Sequence, residues 1–114
     1  MKVPTEAKLL RVFVGEAERF EGRPLYEAIV HLARERGLAG ATVMRGVMGF
    51  GADSRLHTAK ILRLSEDLPM VIEIVDKAER IEGLLREIDG MIKEGMVTVE
   101  TVTVFAYRGN AEKS

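Results

Sequence analysis

The 114-residue chain has no cysteine, no tryptophan and no glutamine, and asparagine occurs once. Without cysteine there are no disulfides, no zinc–thiolate sites and no thiol nucleophile. No apolar run approaches the roughly 18 residues of a membrane span, and residues 1–15 lack the shape of a signal peptide. The expectation is therefore a soluble, cytoplasmic protein. Charge of one sign is also missing: the formal net charge is −1, which weighs against bulk binding of nucleic acid. What is plentiful is Arg, Glu and Lys, a composition that resembles proteins from hot environments. Hydrophobic residues make up 46% of the chain and charged residues 31%. A chain of this length buries roughly two thirds of the surface its unfolded form exposes, enough for one domain. We read residues 1–114 as that domain, with a core over about 7–108 and a polar tail at 109–114 expected to be mobile.

Periodicity orders the elements. Residues 7–14 alternate, with Leu10, Val12 and Val14 facing one way and Leu9, Arg11 and Phe13 the other, as in a strand. A polar loop follows at 15–23, carrying Glu16, Glu18 and Glu21, whose acids are expected to be solvated. Pro24 suits a first helical position. Leu25, Ala28, Ile29, Leu32 and Ala33 then form one apolar stripe of a helix that ends near Gly37. Residues 41–48 read as a second strand. Strand character returns at 58–64, breaks before Pro69, and returns again at 70–75. Asp76 and Glu79 have the spacing of a capping box, opening a helix whose buried stripe is Ile81, Leu84, Leu85, Ile88 and Ile92. The last strand is expected over 97–107.

The order β-α-β-β-α-β predicts an α+β, ferredoxin-like sandwich: a four-stranded antiparallel sheet with two helices on one face. The second face would carry Leu9, Phe13, Val71, Val75, Phe105 and Tyr107 among Arg11, Glu73 and Thr103. That mixture is too apolar for free exposure, and an oligomer that packs sheet against sheet resolves the conflict.

Positive charge and glycine coincide in one place. Residues 45–63 hold Arg45, Arg55, Lys60 and Arg63 against Asp53, a local charge of +3, and the remainder carries −4. The same stretch begins Gly46-Val47-Met48-Gly49-Phe50-Gly51. Exposed amides beside guanidinium forks suit a phosphate, so a small anionic ligand such as a nucleotide is one reading. Glycines between strands are also ordinary turn formers, and no Walker or GxGxxG motif is present. Phe50 offers either a loop anchor or a stacking platform for a base. His57 either touches an anion or merely flanks a strand, and His31 falls on the polar side of its helix. Two histidines on separate elements make no metal site. Magnesium would enter only with a nucleotide. Ser54 and Ser65 lack a histidine and acid at triad spacing, so no enzyme is expected. Met44, Met48, Met70, Met91 and Met96 read as core or interface fillers.

The segments Gly15-Glu16, Gly22-Arg23-Pro24-Leu25-Tyr26-Glu27-Ala28-Ile29, Leu38-Ala39-Gly40-Ala41-Thr42-Val43, Arg45-Gly46, Gly49-Phe50-Gly51, His57-Thr58 and Val71-Ile72-Glu73-Ile74-Val75 resemble the PII superfamily. The likeness is greatest to PII-like proteins of a domain-of-unknown-function family, sometimes encoded near fluoride-exporting membrane channels. It implies a trimer that binds an adenine nucleotide, AMP or ADP, at subunit interfaces and regulates a partner through a mobile T-loop, here at about 46–58. On that resemblance Arg45, Gly46, Gly49, Phe50, Gly51, Arg55, His57, Thr58 and Lys60 are the candidate ligand-binding residues. The alternative is a ligand-independent interaction module for a membrane transporter or ion channel. Three departures are plain. Ala52-Asp53-Ser54-Arg55 follows the GFG where PII proteins proper carry a 2-oxoglutarate-binding glutamine. Tyr26 and Tyr107 do not fall in the loop. The phosphate-binding TGxIGDGK loop is replaced by Lys93-Glu94-Gly95-Met96.

Overall fold

The computed structural model describes residues 2–50, 57–58 and 67–109. Its central sheet has four antiparallel strands: β1 (Thr5–Gly15), β4 (Thr42–Arg45), β7 (Pro69–Asp76) and β8 (Met96–Val104). The spatial order is β4-β7-β1-β8. Helices α1 (Leu25–Glu35) and α2 (Ala78–Ile88) complete the ferredoxin-like βαββαβ plan. Two short hairpins decorate it. β2 (Arg19–Phe20) pairs with β3 (Arg23–Pro24), and β5 (Met48–Gly49) pairs with β6 (His57–Thr58).

The alternation expected in β1 is borne out, because the two helices cover one face only. Leu10, Val12 and Val14 pack with Ile72 and Ile74 of β7 against Leu25, Ile29, Ile81, Leu84 and Ile88. Each fully buried aliphatic side chain contributes about 1.5–3 kcal/mol of transfer free energy. Ion pairs brace the helices from outside: Arg36 of the α1 C-cap makes two hydrogen bonds to Glu87 of α2, both 2.7 Å. Those bonds are the first reason the Glu87 carboxyl sits below its ordinary range.

Several expectations need correction. The polar loop at 15–23 contains the β2–β3 hairpin, and pairing with Arg19 holds Pro24 extended, so Pro24 caps α1 and Leu25 begins it. The second strand stops at Arg45 rather than 48, because the chain turns at Gly46-Val47 into the second hairpin. The capping box at Asp76 does not form: Lys77 is the N-cap and makes no side-chain cap bond. The alternation of β7 instead turns the Asp76 carboxylate inward, where it is 4% exposed. It accepts the Ala39 N–H at 2.9 Å and the Lys77 N–H at 2.7 Å. β8 ends at Val104, three residues short of the expected end. The following segment leaves the sheet and returns across its open face, since the Tyr107 hydroxyl donates to the Ala39 carbonyl beside β4 at 2.8 Å. Phe105 and Tyr107 thus belong to a strap rather than to a strand. The strand expected at 58–64 lies outside the described residues beyond Thr58, as does the tail beyond Gly109. His31 is exposed, as expected.

Candidate functional site

Register fixes what the open face presents. Met44, Val71, Phe13 and Met96 lie in one row across all four strands. The next row is polar: Thr42, Glu73, Arg11 and Thr98. Arg11 donates from Nε to Glu73 at 2.7 Å and from Nη1 to Glu100 at 2.6 Å. Glu73 is the first cause holding the Arg11 guanidinium above its ordinary pKa. Met44 is 44% exposed and Met96 is 60% exposed. The apolar row is therefore uncovered in one chain, and beside it Arg11 pairs with Glu73 and Glu100.

Two clefts border this face. One, of about 420 Å³, lies beneath the C-terminal strap, between Ala39–Thr42, Glu73, Val75 and Val104. The other, of about 380 Å³, lies at the base of the β5–β6 hairpin. Phe13 and Val71 from the apolar row form part of its lining, with Met48, Phe50 and Pro69. Gly46, Gly49, Gly95 and the carboxylates Glu18, Asp67 and Glu94 complete it.

Local sequence explains this shape. The Gly46 N–H donates to the Pro69 carbonyl at 2.7 Å. A Cβ on Gly46 would lie 2.6 Å from Pro69 Cγ, so only glycine lets the loop base sit on the proline ring. Gly95 holds φ at +144°, and a Cβ there would meet the Phe13 carbonyl at 2.5 Å. The turn at 15–18 is pinned by Glu16 N–H to Leu68 O at 2.8 Å and by Ala17 N–H to the Asp67 carboxylate at 2.6 Å.

The electrostatics differ from the sequence expectation. Arg45 is already paired with an acid: its Nη2 donates to Glu16 Oε1 at 2.8 Å. Glu16 and Glu18 are half-buried, whereas solvated acids were expected. Burial first, then the charges of Glu94 and Asp67, pushes the Glu18 carboxyl above the usual range, with Lys93 pulling it back. Of the candidate residues, Gly46, Gly49 and Phe50 line the cleft, and Arg45 adjoins it. His57 and Thr58 pair opposite Gly49 and Met48. Gly51, Arg55 and Lys60 lie outside the described residues. Sequence reasoning missed Glu18, Asp67 and Glu94. A run of acids in a loop is usually solvated, and no spacing rule joins residues so far apart. Among the described residues no cluster of three His or acidic groups suits a metal ion, and no helix is long and apolar enough to cross a membrane.

Comparison with solved structures finds this ferredoxin-like fold in PII-like proteins. CPII, a nitrogen regulatory PII-like protein from Thiomonas intermedia K12, bound to ADP, AMP and bicarbonate, superposes with a TM-score of 0.70 at 18% identity. The match covers 90% of this chain and 91% of that one. The chain itself belongs to the DUF190 family ("Uncharacterized ACR"), which it matches over residues 7–104. A UPF0166 protein of Aquifex aeolicus is 44% identical over 97 residues, covering 85% of this chain and 91% of the relative. A second, from Methanocaldococcus jannaschii, is 34% identical over 101 residues, with 88% and 93% covered. The expected resemblance to PII-like proteins is thus borne out in the fold, and the expected membership of an uncharacterised family is borne out by the family match.

Proposed function

We propose that this protein is a non-enzymatic, cytoplasmic PII-like regulator that binds an adenine nucleotide, AMP or ADP, in the cleft at the loop base. A second and third copy, packed on the open face, would close that cleft. The carrying observation is position. The cleft takes Phe13 and Val71 from the uncovered apolar row, so a neighbouring protomer that covers the row also walls the cleft. That CPII is bound to ADP and AMP on the same fold supports the choice of ligand.

The lining divides the nucleotide between two environments. An apolar floor with Phe50 suits the base. Glu18 and Glu94 accept hydrogen bonds from ribose hydroxyls or an exocyclic amine, which a phosphate cannot donate. Three carboxylates on the rim disfavour polyphosphate beside them, so the phosphate end points toward Arg45, with Arg55 and Lys60 as further cations. Magnesium would arrive only with the nucleotide. Ligand would then bias the loop, and the loop would engage a partner, such as a membrane transporter or channel. Calorimetric titration with AMP, ADP, ATP and cyclic AMP tests this reading. Silence across all four at millimolar concentration removes it. Sedimentation should show a trimer.

A ligand-independent docking module is the second reading. It is favoured by Val47 and Phe50, which are 74% and 70% exposed at the hairpin base. Partner capture that is indifferent to nucleotide would select it.

A further inference from the structure

The Arg45–Glu16 pair has a role that the cleft itself does not need. Arg45 closes β4 and immediately precedes Gly46, which lines the cleft. Glu16 immediately follows Gly15, which lines it from the other side. Their 2.8 Å bond therefore ties the two walls together beside the cleft. Both ends of the tie rest on one support. The Glu16 N–H bonds the Leu68 carbonyl at 2.8 Å, and the Gly46 N–H bonds the Pro69 carbonyl at 2.7 Å. Glu16 is thus held in place by the backbone, while the Arg45 side chain, 59% exposed, reaches it from the end of β4 on a long stem. An incoming anion meets a guanidinium that already gives one N–H to a carboxylate.

We propose that Glu16 is the residue that sets ligand specificity at this site: an internal anion that occupies Arg45 until a phosphate displaces it. This rests on the ligand reading above. A carboxylate carries one charge, whereas a phosphate monoester carries up to two and offers three acceptor oxygens to the guanidinium fork. Displacement is therefore favourable for a phosphate and close to neutral for a carboxylate or other monoanion. The same exchange removes the side-chain link between Arg45 and the turn at 15–18, which loosens the loop base while the Gly46 N–H stays on Pro69. The device needs no titration, only competition between two anions for one cation.

The experiment compares wild type with Glu16→Gln, a near-isosteric change that keeps the Glu16 backbone bond to Leu68 and with it the fold. AMP, ADP and adenosine are titrated into each protein. Amide hydrogen exchange over residues 46–50 is followed in both without ligand. Exposed ion pairs of this kind are weak, so AMP and ADP should bind Glu16→Gln about two- to fivefold more tightly. Adenosine has no phosphate and should bind both proteins equally. Exchange over 46–50 in the free protein should rise by a similar factor. Unchanged AMP and ADP affinity, or an equal gain for adenosine, overturns the proposal. If neither protein binds any of the three, the ligand reading falls and exchange decides the tie alone. Faster exchange in Glu16→Gln upholds it, and identical exchange overturns it.

Discussion

The two faces of the same sheet teach different lessons, although they alternate residue by residue along the same strands. The helix side is closed by the chain itself: Leu10, Val12, Ile72 and Ile74 are each fully buried. The open side carries Leu9, Phe13, Val71 and Val75 half-buried, with an Arg11–Glu73–Glu100 network among them. Two helices of eleven residues can cover one face of four strands and no more. The first face therefore reports on stability, and the second is the face on which the proposed assembly rests. The cleft falls where the second face meets the glycine-rich hairpin. Its lining comes from the end of β1 with the turn at 15–18, the hairpin base at 46–50, the segment 67–71 and the Glu94-Gly95 pair, which lie far apart along the chain.

Substitutions on the two faces should separate these roles. Ile72→Ala removes a fully buried side chain and should cost about 2–5 kcal/mol in denaturant unfolding. A loss below about 1 kcal/mol would mean the helix side is loosely packed. Asp76→Ala strands two N–H groups, and about 2–3 kcal/mol of stability should go with it. Urea unfolding measures this, and Asp76→Asn should recover part of the loss. Phe13→Asp, on the open face, should leave the helix-side core intact but shift sedimentation from oligomer to monomer. A variant that still assembles fully would break the assignment of that face to assembly. The smallest effect is expected at Glu18. Its carboxyl is held above the ordinary range, so ionising it opposes folding at neutral pH. Glu18→Gln should raise the melting midpoint slightly at pH 7. The gain should vanish below the unfolded value of about 4.3, where Glu18 is protonated in both states. An equal gain at pH 3 and pH 7 would contradict the burial argument.

The alternation of β1 and the stripes of both helices were legible because core burial imposes a period, and a period survives in one sequence. The glycine-rich base of the loop was legible by composition, and Gly46, Gly49 and Phe50 do line the cleft. Asp76 misled because helix capping and inward burial ask for the same residue type. One of its two partners, the Ala39 amide, lies 37 positions away. Arg45 misled for the same kind of reason. Its charge marks it as a ligand for anions, but not which anion is already there. Phe105 and Tyr107 continued the β pattern of their neighbours, and the strap they form is a contact with Ala39, 68 positions back.

By itself, the amino-acid order determined which residues of each strand and helix seek the interior, where the chain must turn, and the βαββαβ plan that follows from them. Those are local properties, set by side-chain periodicity and backbone freedom. Which acid meets which base, which face stays uncovered and where the cleft opens were decided only when the strands came together as β4-β7-β1-β8. Hydrogen bonds and charges act over a few ångströms of space, and separation along the chain says little about that distance.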